Sequence, residues 1–290
     1  MVKVSVILSL YNCEKYLKVY FDNVLSQKNL KEIELSIVHN SPSKREKLII
    51  EEYKSKINIK YQEVERETLY KSWNRAIKQS TGKYLVCWNV DDLRTNDSIY
   101  KMVKTLEKNN NIGFTYGDFI ITKSFGSKLG SYITAPDYDF NLGKSIAIGG
   151  PFFMWKKELV TKIGFFDEQF ISGGDLDYTI RLSRFSNGLK TNGLLGYFLN
   201  DKKGLSTKNI FLQIKERTII QKRYRLNKIN LFFYSNQNKY EIHLIKEFDV
   251  KRKIQLEQKK FKLIDITNMV LFTMKDSFVI MLRIIKRLIF

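Results

Sequence analysis

Apolar runs alternate with amphipathic stretches through the first 110 residues of the chain. Val2 to Leu8 and Ile33 to Val38 have the composition of buried strands, and each run ends in a polar cluster. Apolar residues recur at helical spacing from about Cys13 to Ser26 and again from Leu69 to Gln79. Because strands and helices alternate, this pattern predicts an α/β fold with a mostly parallel sheet and helices on both faces.

One apolar run ends abruptly in adjacent carboxylates. Tyr84 to Trp88 has the composition of a buried strand, and Asn89, Asp91 and Asp92 follow it. A sheet interior would not tolerate these acids, so they should lie where the strand leaves the sheet. That edge binds ligands in open α/β sheets, and oxygen ligands there suit a hard divalent cation that also holds phosphates. The same residues are also compatible with a polar turn before the next helix.

A second acidic motif follows a pair of glycines farther along the chain. Gly174 precedes Asp175 and Asp177 at the start of a predicted helix. Residues two apart on a helix point in different directions, and Asp177 is placed to pair with Arg181 four residues later. Asp175 is then left to face a ligand, and the alternative role for it is a helix N-cap.

Composition and charge limit the class of protein. The chain is 43% hydrophobic and 13% aromatic, which is enough for a substantial core. The two cysteines, Cys13 and Cys87, indicate no disulfide framework and favour a reducing compartment. More than half of the formal net charge of +20 lies after Ser206. Such a field attracts anionic lipid, nucleic acid or polyanionic substrates without choosing among them.

Five motifs occur in a fixed order between Val2 and about Tyr224. They are Val4 to Asn12, Asn74 ahead of Gly82-Lys83-Tyr84, Asn89-Val90-Asp91-Asp92, Phe166-Asp167-Glu168, and Gly174-Asp175-Leu176-Asp177 with Arg181-Leu182. Together they resemble the family 2 glycosyltransferases, nucleotide-diphospho-sugar transferases with the Rossmann-like GT-A fold. The resemblance implies a catalytic domain over residues 1–225, and a basic helical tail would follow over residues 226–290.

The resemblance also implies a reaction and a set of site residues. A sugar would pass from a UDP- or GDP-linked donor to a hydroxyl of a glycan or lipid-linked acceptor, with inversion, in bacterial surface polysaccharide assembly. Asp175 would be the general base with Asp177 as a supporting acid, and Asp91 would hold Mn²⁺ or Mg²⁺ with Asp92 as a second candidate ligand. The donor would contact Leu10, Tyr11, Asn12, Asn40, Asn74, Asn89 and Asp91. Trp155 and Gly174 are placed on the acceptor side, although Trp155 also suits an ordinary core position.

The chain departs from the family pattern in three places. Asn89 stands where a first Asp is usual, so its contact passes to ribose or the metal is held more weakly. His39 and Asn40 stand where two acids are usual, and we expect the Asn40 amide to pair with the nucleobase. Gly174 replaces a common Glu, which leaves Asp175 as the sole acid at that point. These departures keep a non-catalytic protein of the same fold open as an alternative.

The final segment, Ile266 to Phe290, separates charged from apolar residues as an amphipathic helix does. Its longest uncharged run is far shorter than the ~20 residues that cross a bilayer, so we expect it to lie on an anionic membrane surface. Docking on the chain's own domain or on a second copy explains the same pattern. No pattern of a nucleic-acid-binding motif occurs, so we expect no nucleic-acid partner. We therefore expect a cytoplasmic protein, peripheral on the inner face of the membrane.

Overall fold

The computed structural model describes residues 2–139, 149–200, 204 and 210–224, and they contain a nine-stranded sheet. The strands are β1 (Val4–Leu10), β2 (Ile33–Asn40), β3 (Asn58–Val64), β4 (Tyr84–Cys87), β5 (Leu93–Arg94), β6 (Ile112–Thr122), β7 (Ser131–Ile133), β8 (Phe153–Lys156) and β9 (Asn187–Leu199). The helices are α1 (Glu14–Leu25), α2 (Lys44–Lys54), α3 (Leu69–Gln79), α4 (Ser98–Lys108), α5 (Val160–Ile163), α6 (Gly174–Phe185) and α7 (Ile210–Tyr224). Short 3-10 turns cover Leu30–Glu32 and Lys157–Leu159.

The sheet is parallel through its first part and mixed beyond it. Its strands run in the order β3-β2-β1-β4-β8-β6-β9-β5, and β7 pairs with β6 outside this order. β1 to β4 are parallel to one another, which confirms the parallel sheet predicted for this part. β8 then runs antiparallel to both β4 and β6, whereas β6 and β9 are parallel. The predicted alternation of strand and helix therefore describes the first half of the fold better than the second.

Helices cover both faces of the sheet, as predicted. Side chains alternate along β1, so that Val6 and Leu8 join one core layer and Ile7 joins the other. The first layer includes residues of α1, α2 and α4, and the second includes residues of α3, α5, α6 and α7. Each fully buried Leu, Ile or Phe in these layers stabilises the fold by about 1.5–3 kcal/mol. The two layers hold the sheet rigidly, so its carboxyl edge has a defined shape.

The basic tail over residues 226–290, with its predicted membrane-binding helix, lies outside the described residues. The final described helix is α7, which ends at Tyr224. Within the described residues, no helix combines the length and the apolar composition that a bilayer span requires.

Candidate active site

Three parallel strands end at the same edge of the sheet. Leu10 of β1 lies opposite His39 of β2, and Cys87 of β4 lies opposite Ile7 of β1. The loop after β1 opens at this edge, where Tyr11 is 48% exposed. Leu10 is buried, so its side chain belongs to the core, and the contacts predicted between the donor and Leu10, Tyr11 and Asn12 stay predictions.

The loop after β1 is held from behind by α2. Asn12 has a φ of 45°, a left-handed conformation that asparagine tolerates better than most residues. The next backbone N–H, of Cys13, donates to Glu46 Oε1 at 2.7 Å. Glu46 also caps α2 through a reciprocal pair with Ser43, so the loop after β1 and the helix share one carboxylate. Glu46 was not among the predicted site residues.

Asn40 uses its amide to join the strand ends. Its Nδ2 donates to Ser72 Oγ at 3.0 Å and to the Leu10 carbonyl at 3.3 Å, and its Oδ1 accepts from the Glu67 N–H at 2.9 Å. The residue is 1% exposed. The structure therefore gives Asn40 a structural role in place of the predicted contact with the base. At the exposed edge, the Arg66 guanidinium lies 3.4 Å from the centre of the Tyr11 ring.

Asn74 also has its amide fully engaged by the protein. Its Oδ1 accepts from the Phe166 N–H and its Nδ2 donates to the Phe166 carbonyl, both at 2.9 Å. The second amide hydrogen is directed to Glu168 Oε1, also at 2.9 Å. Asn74 therefore ties α3 to the Phe166–Glu168 loop. This pairing replaces the direct donor contact that the sequence predicts.

The two acids after β4 have different environments. Asp92 is 2% exposed, and its Oδ1 accepts from the Leu199 N–H at 3.1 Å. Its Oδ2 lies 3.5 Å from the Asn89 amide, and burial together with the Asp91 charge raises the pKa of Asp92 well above its usual range. Asp92 thus ties the acidic turn to the end of β9, which makes it the weaker of the two candidates for a metal ligand; its assignment as a second ligand stays a prediction. Asp91 is half-buried in the turn.

The donor set at this turn suits a metal ion that arrives with a phosphate-bearing substrate. Among the described residues, no group of three His, Cys, Asp or Glu side chains is arranged to hold a metal ion by itself. Mg²⁺ in phosphate-transfer sites is commonly bound by one or two carboxylates together with substrate phosphates. Asp91 is the carboxylate that fits this role, because Asp92 is committed to the backbone of β9.

Asp175 is in the first turn of α6, and Gly173 occupies the N-cap position that was the alternative role for Asp175. Its Oδ1 accepts from the Leu176 N–H at 2.8 Å. Burial raises the pKa of Asp175 to about 6, a shift that the Leu176 N–H opposes and the Glu216 charge reinforces. Burial and then the charge of Asp175 raise the pKa of Cys87, so the acid lies near the carboxyl end of β4.

Asp177 forms a buried ion-pair network. One carboxylate oxygen pairs with Arg181 at 2.8 Å, and the other pairs with Arg223 at 2.7 Å and accepts from the Tyr224 hydroxyl at 2.8 Å. Burial alone would raise the pKa of Asp177, but the two arginines and the tyrosine outweigh burial and lower it. The predicted pair with Arg181 is confirmed, although it is buried rather than exposed. This network occupies the carboxylate that the sequence assigns as a supporting acid.

The two residues assigned to the acceptor side are enclosed by aromatic rings. Trp155 is fully buried in β8, where it stacks on Phe153 with ring centres 5.0 Å apart. Its ring cannot lie against an acceptor sugar in this arrangement, which corrects its assignment and confirms the core alternative. Gly174 is buried against Tyr70, whose ring carbons would lie 2.7 Å from a Cβ at that position. Gly174 therefore shapes the site by leaving room for the Tyr70 ring.

Three residues that contact the start of α6 were not predicted from the sequence, namely Tyr70, Glu216 and Arg223. Glu216 accepts hydrogen bonds from the backbone just before α6, and Arg223 pairs with Asp167 and Asp177. Glu216 is the only acidic residue between Ser206 and Tyr224. An isolated acid in a basic, apolar helix was the one signal that could have drawn attention to it.

The fold and the acidic edge define a class of protein. The α/β sheet is parallel through its first part and mixed beyond it, and its carboxyl edge carries an acidic turn and an acid at a helix start. This is the arrangement of GT-A glycosyltransferases. Residues 5–172 match the family model described as Glycosyl transferase family 2. The chain belongs to this family.

Relatives of this chain include proteins of archaea and bacteria. It is 30% identical over 189 residues to an uncharacterized glycosyltransferase of Methanocaldococcus jannaschii, covering 61% of this chain and 63% of that protein. It is 26% identical over 198 residues to the poly-beta-1,6-N-acetyl-D-glucosamine synthase of Staphylococcus epidermidis, covering 64% of this chain and 47% of that protein. The matched part thus spans less than two thirds of either relative.

Solved structures share the fold at low sequence identity. Staphylococcus aureus TarS 1–349 in complex with UDP-GlcNAc superposes with a TM-score of 0.63 at 16% identity, over 82% of this chain and 68% of that chain. The mannosyltransferase PcManGT of Pyrobaculum calidifontis, in complex with GDP-Man and Mn²⁺, superposes with a TM-score of 0.56 at 15% identity, over 96% of this chain and 80% of that chain. Both likenesses concern the fold.

Proposed function

We propose that this chain is an inverting glycosyltransferase that moves a sugar from a UDP- or GDP-linked donor to a hydroxyl of a glycan or lipid-linked acceptor. The observation that carries the proposal is the position of Asp175, a partly buried carboxylate in the first turn of α6, where burial raises its pKa to about 6. A carboxylate with that pKa is ionised at neutral pH, yet it is a stronger base than an exposed aspartate. It also lies near the strand end from which the acidic turn extends.

The reaction makes one bond and breaks one. The acceptor oxygen forms a bond to the anomeric carbon, and the bond from that carbon to the diphosphate oxygen breaks on the opposite face of the sugar. Asp175 takes the acceptor's hydroxyl proton, and the diphosphate leaves with the electron pair of the broken bond. Mn²⁺ or Mg²⁺ at Asp91, when bound, stabilises the negative charge that develops on the leaving diphosphate. The chain's own contribution is to hold the two acids on either side of the sugar.

Support for the donor class comes from the relatives and the fold. One solved structure with this fold contains UDP-GlcNAc, and another contains GDP-Man together with Mn²⁺. For the acceptor, we propose a growing surface glycan or its lipid-linked precursor, because one relative is a polysaccharide synthase. The basic composition of the chain beyond Ser206 favours work at the inner face of an anionic membrane, where such an acceptor would be presented.

Donor binding is tested by thermal unfolding of the full chain with UDP, GDP, CMP and their sugar conjugates, each with and without Mn²⁺. We expect a metal-dependent rise in the melting temperature with one nucleotide class, and about 2.7 kcal/mol of added stability at a free ligand concentration one hundred times Kd. Asp91→Ala and Asp91→Asn should both lose the metal-dependent part of this rise. The expectation depends on Asp91 being the carboxylate that can meet a phosphate-bound metal.

A matched control is Asp97→Asn, because Asp97 follows β5 a few residues later and pairs with Lys101 at the protein surface. This variant should keep the full ligand-induced rise. A folded wild-type protein that responds to none of the nucleotides would contradict the proposal and favour a non-catalytic member of the family.

A further inference from the structure

We propose that Tyr70 and Glu216 are positioning residues that hold the start of α6 and thereby place Asp175. The proposal rests on the proposed role of Asp175 as the base. Tyr70 belongs to α3 and Glu216 belongs to α7, so neither is on the helix that carries the acid. The inference is therefore that two separate helices set where the base stands and how strongly it binds a proton.

Glu216 holds the backbone that leads into α6. Its Oε1 accepts from the Ile171 N–H at 2.8 Å, and its Oε2 accepts from the N–H groups of Ser172 and Gly173, both at 2.8 Å. The Ser172 hydroxyl donates to the same Oε2 at 3.1 Å. Backbone N–H groups at a helix start lack partners within the helix, and a carboxylate is their most favourable acceptor. Glu216 thus fixes the chain directly before Asp175.

The far end of α7 fixes the same segment a second time. Arg223 and Tyr224 both bind the Asp177 carboxylate, as Glu216 binds the backbone before Gly174. Glu216 and Arg223 are seven residues apart, which is about two turns of helix. α7 therefore contacts the start of α6 at two points, the backbone of Gly173 and the side chain of Asp177. Asp175 lies between these two residues in the sequence.

Tyr70 packs against the start of α6 from α3. It is 2% exposed, and its ring packs directly on Gly174, where any Cβ would meet ring carbons at 2.7 Å. Its hydroxyl favours the ionised form of Asp175 and thereby lowers the pKa of that acid. The backbone N–H groups of Gly174 and Asp175 in turn favour the ionised form of the Tyr70 hydroxyl and lower its pKa. Tyr70 thus joins α3 to the start of α6.

The groups that face Asp175 act on its proton in opposite directions. The Glu216 charge from α7 favours the protonated acid, whereas the Tyr70 hydroxyl from α3 favours the carboxylate. The Cys87 thiol at the end of β4 also faces the acid and is protonated, because burial and the Asp175 charge raise its pKa. Removing Glu216's charge should lower the pKa of Asp175, and removing Tyr70's hydroxyl should raise it.

The test is a carboxyl-carbon NMR titration of the full chain labelled at aspartate, from about pH 4 to about pH 8, which spans the range where a raised aspartate titrates. The Asp175 signal is assigned by its loss in Asp175→Asn. We expect its midpoint to move upward in Tyr70→Phe and downward in Glu216→Gln. Tyr70→Phe keeps the ring that packs on Gly174, so it preserves the fold and tests the proposal even if Glu216→Gln does not fold.

Two control variants remove the same chemical groups elsewhere. Tyr53→Phe removes a tyrosine hydroxyl that donates to Asp22 at 2.7 Å, and Glu158→Gln removes an exposed glutamate charge. Neither should move the Asp175 midpoint. An unchanged midpoint in Tyr70→Phe, or shifts of the same sign in both site variants, would overturn the proposal. The titration needs no donor or acceptor, so its outcome is independent of whether the chain proves to transfer sugars.

A kinetic measurement, made with the donor that the thermal-unfolding screen identifies, separates a role of Glu216 in positioning the base from a role in binding the donor. A misplacement of about 1 Å in a reacting group can cost on the order of 100-fold in rate. Glu216→Gln should therefore reduce kcat by roughly tenfold or more while the KM for the donor stays near the wild-type value. A rise in the donor KM with an unchanged kcat would instead assign Glu216 to the donor site and contradict the proposed role.

Discussion

Replacing Asp177 with asparagine should lower the free energy of unfolding by about 3–5 kcal/mol, which is the usual cost of breaking a buried ion pair. The carboxylate is fully buried. Its removal leaves the Arg181 guanidinium without its charge partner. It also removes one of the two carboxylates that pair with Arg223, the other being Asp167. Denaturant unfolding followed by far-UV circular dichroism measures the loss. The pKa of Asp177 is lowered in the folded protein, so its contribution is present above the unfolded pKa of about 4 and is lost as the pH falls below it.

Asp97→Asn is the matched comparison for this variant. Asp97 pairs with Lys101 four residues later at 2.9 Å, the same spacing as Asp177 and Arg181, but its side chain is 44% exposed. Surface pairs of this kind contribute between zero and about 1 kcal/mol. Similar small losses in both variants would show that the network around Asp177 does not stabilise the fold as a buried ion pair should.

Replacing Asp175 with asparagine should have opposite effects on activity and on stability. Transfer should fall by about 100-fold to 10,000-fold, the usual contribution of a general base. Stability at pH 7 should rise by about 2 kcal/mol, because the pKa of Asp175 is raised to about 6 and its ionised form is therefore unfavourable in the folded protein. The expected gain is somewhat smaller than the pKa shift alone would give, because Asp175 keeps some contact with solvent.

The pH dependence distinguishes this stability gain from a general effect of the substitution. The folded protein binds the Asp175 proton more tightly than the unfolded chain does, so wild-type stability is highest, as far as this group is concerned, below pH about 4. That part is lost as the pH rises through about 6. The difference between variant and wild type should thus be absent below pH about 4, grow as the pH rises towards 6 and be fully developed above about 6. Transfer by the wild type should rise over the same range, and a rate independent of pH there would contradict the role of Asp175.

The first half of the fold could be predicted because its pattern is local. β1 and β2 are apolar runs with clear polar ends, and α1, α2 and α3 carry apolar residues at helical spacing. Each predicted range agrees with the structure to within about three residues, as expected where element boundaries are set by neighbouring turns. The acidic turn after β4 is also local, so its place at the sheet edge followed directly from the residues around it.

β9 could not be predicted, because three glycines interrupt the 13 residues of the strand. Two of these glycines are explained by neighbours that are distant in sequence. A Cβ at Gly188 would lie 2.5 Å from the Phe114 ring, and one at Gly196 would lie 2.4 Å from the Leu93 carbonyl. Isolated glycine usually weakens a strand prediction. Here it marks close approach, which only the assembled sheet reveals.

The site residues also divide into those that local sequence predicts and those that depend on contacts between distant segments. The sequence places an amide at Asn40 and Asn74, but it does not show that their hydrogen bonds are already taken by the backbone of other segments. Glu216 is more than 40 residues from the segment that it holds. Acids that act on their own helix could be assigned from spacing alone, whereas residues that join distant segments could not.

The parallel pairing of β6 with β9 has a consequence for any shortened version of this protein. The match to the family model ends at residue 172, yet β9 pairs with β6 along nearly its whole length, and α7 binds the segment around the base. A fragment cut at that residue would lose β9 and leave β6 with an open edge prone to aggregation. The folded unit thus extends at least to Tyr224, beyond the part that the family model matches.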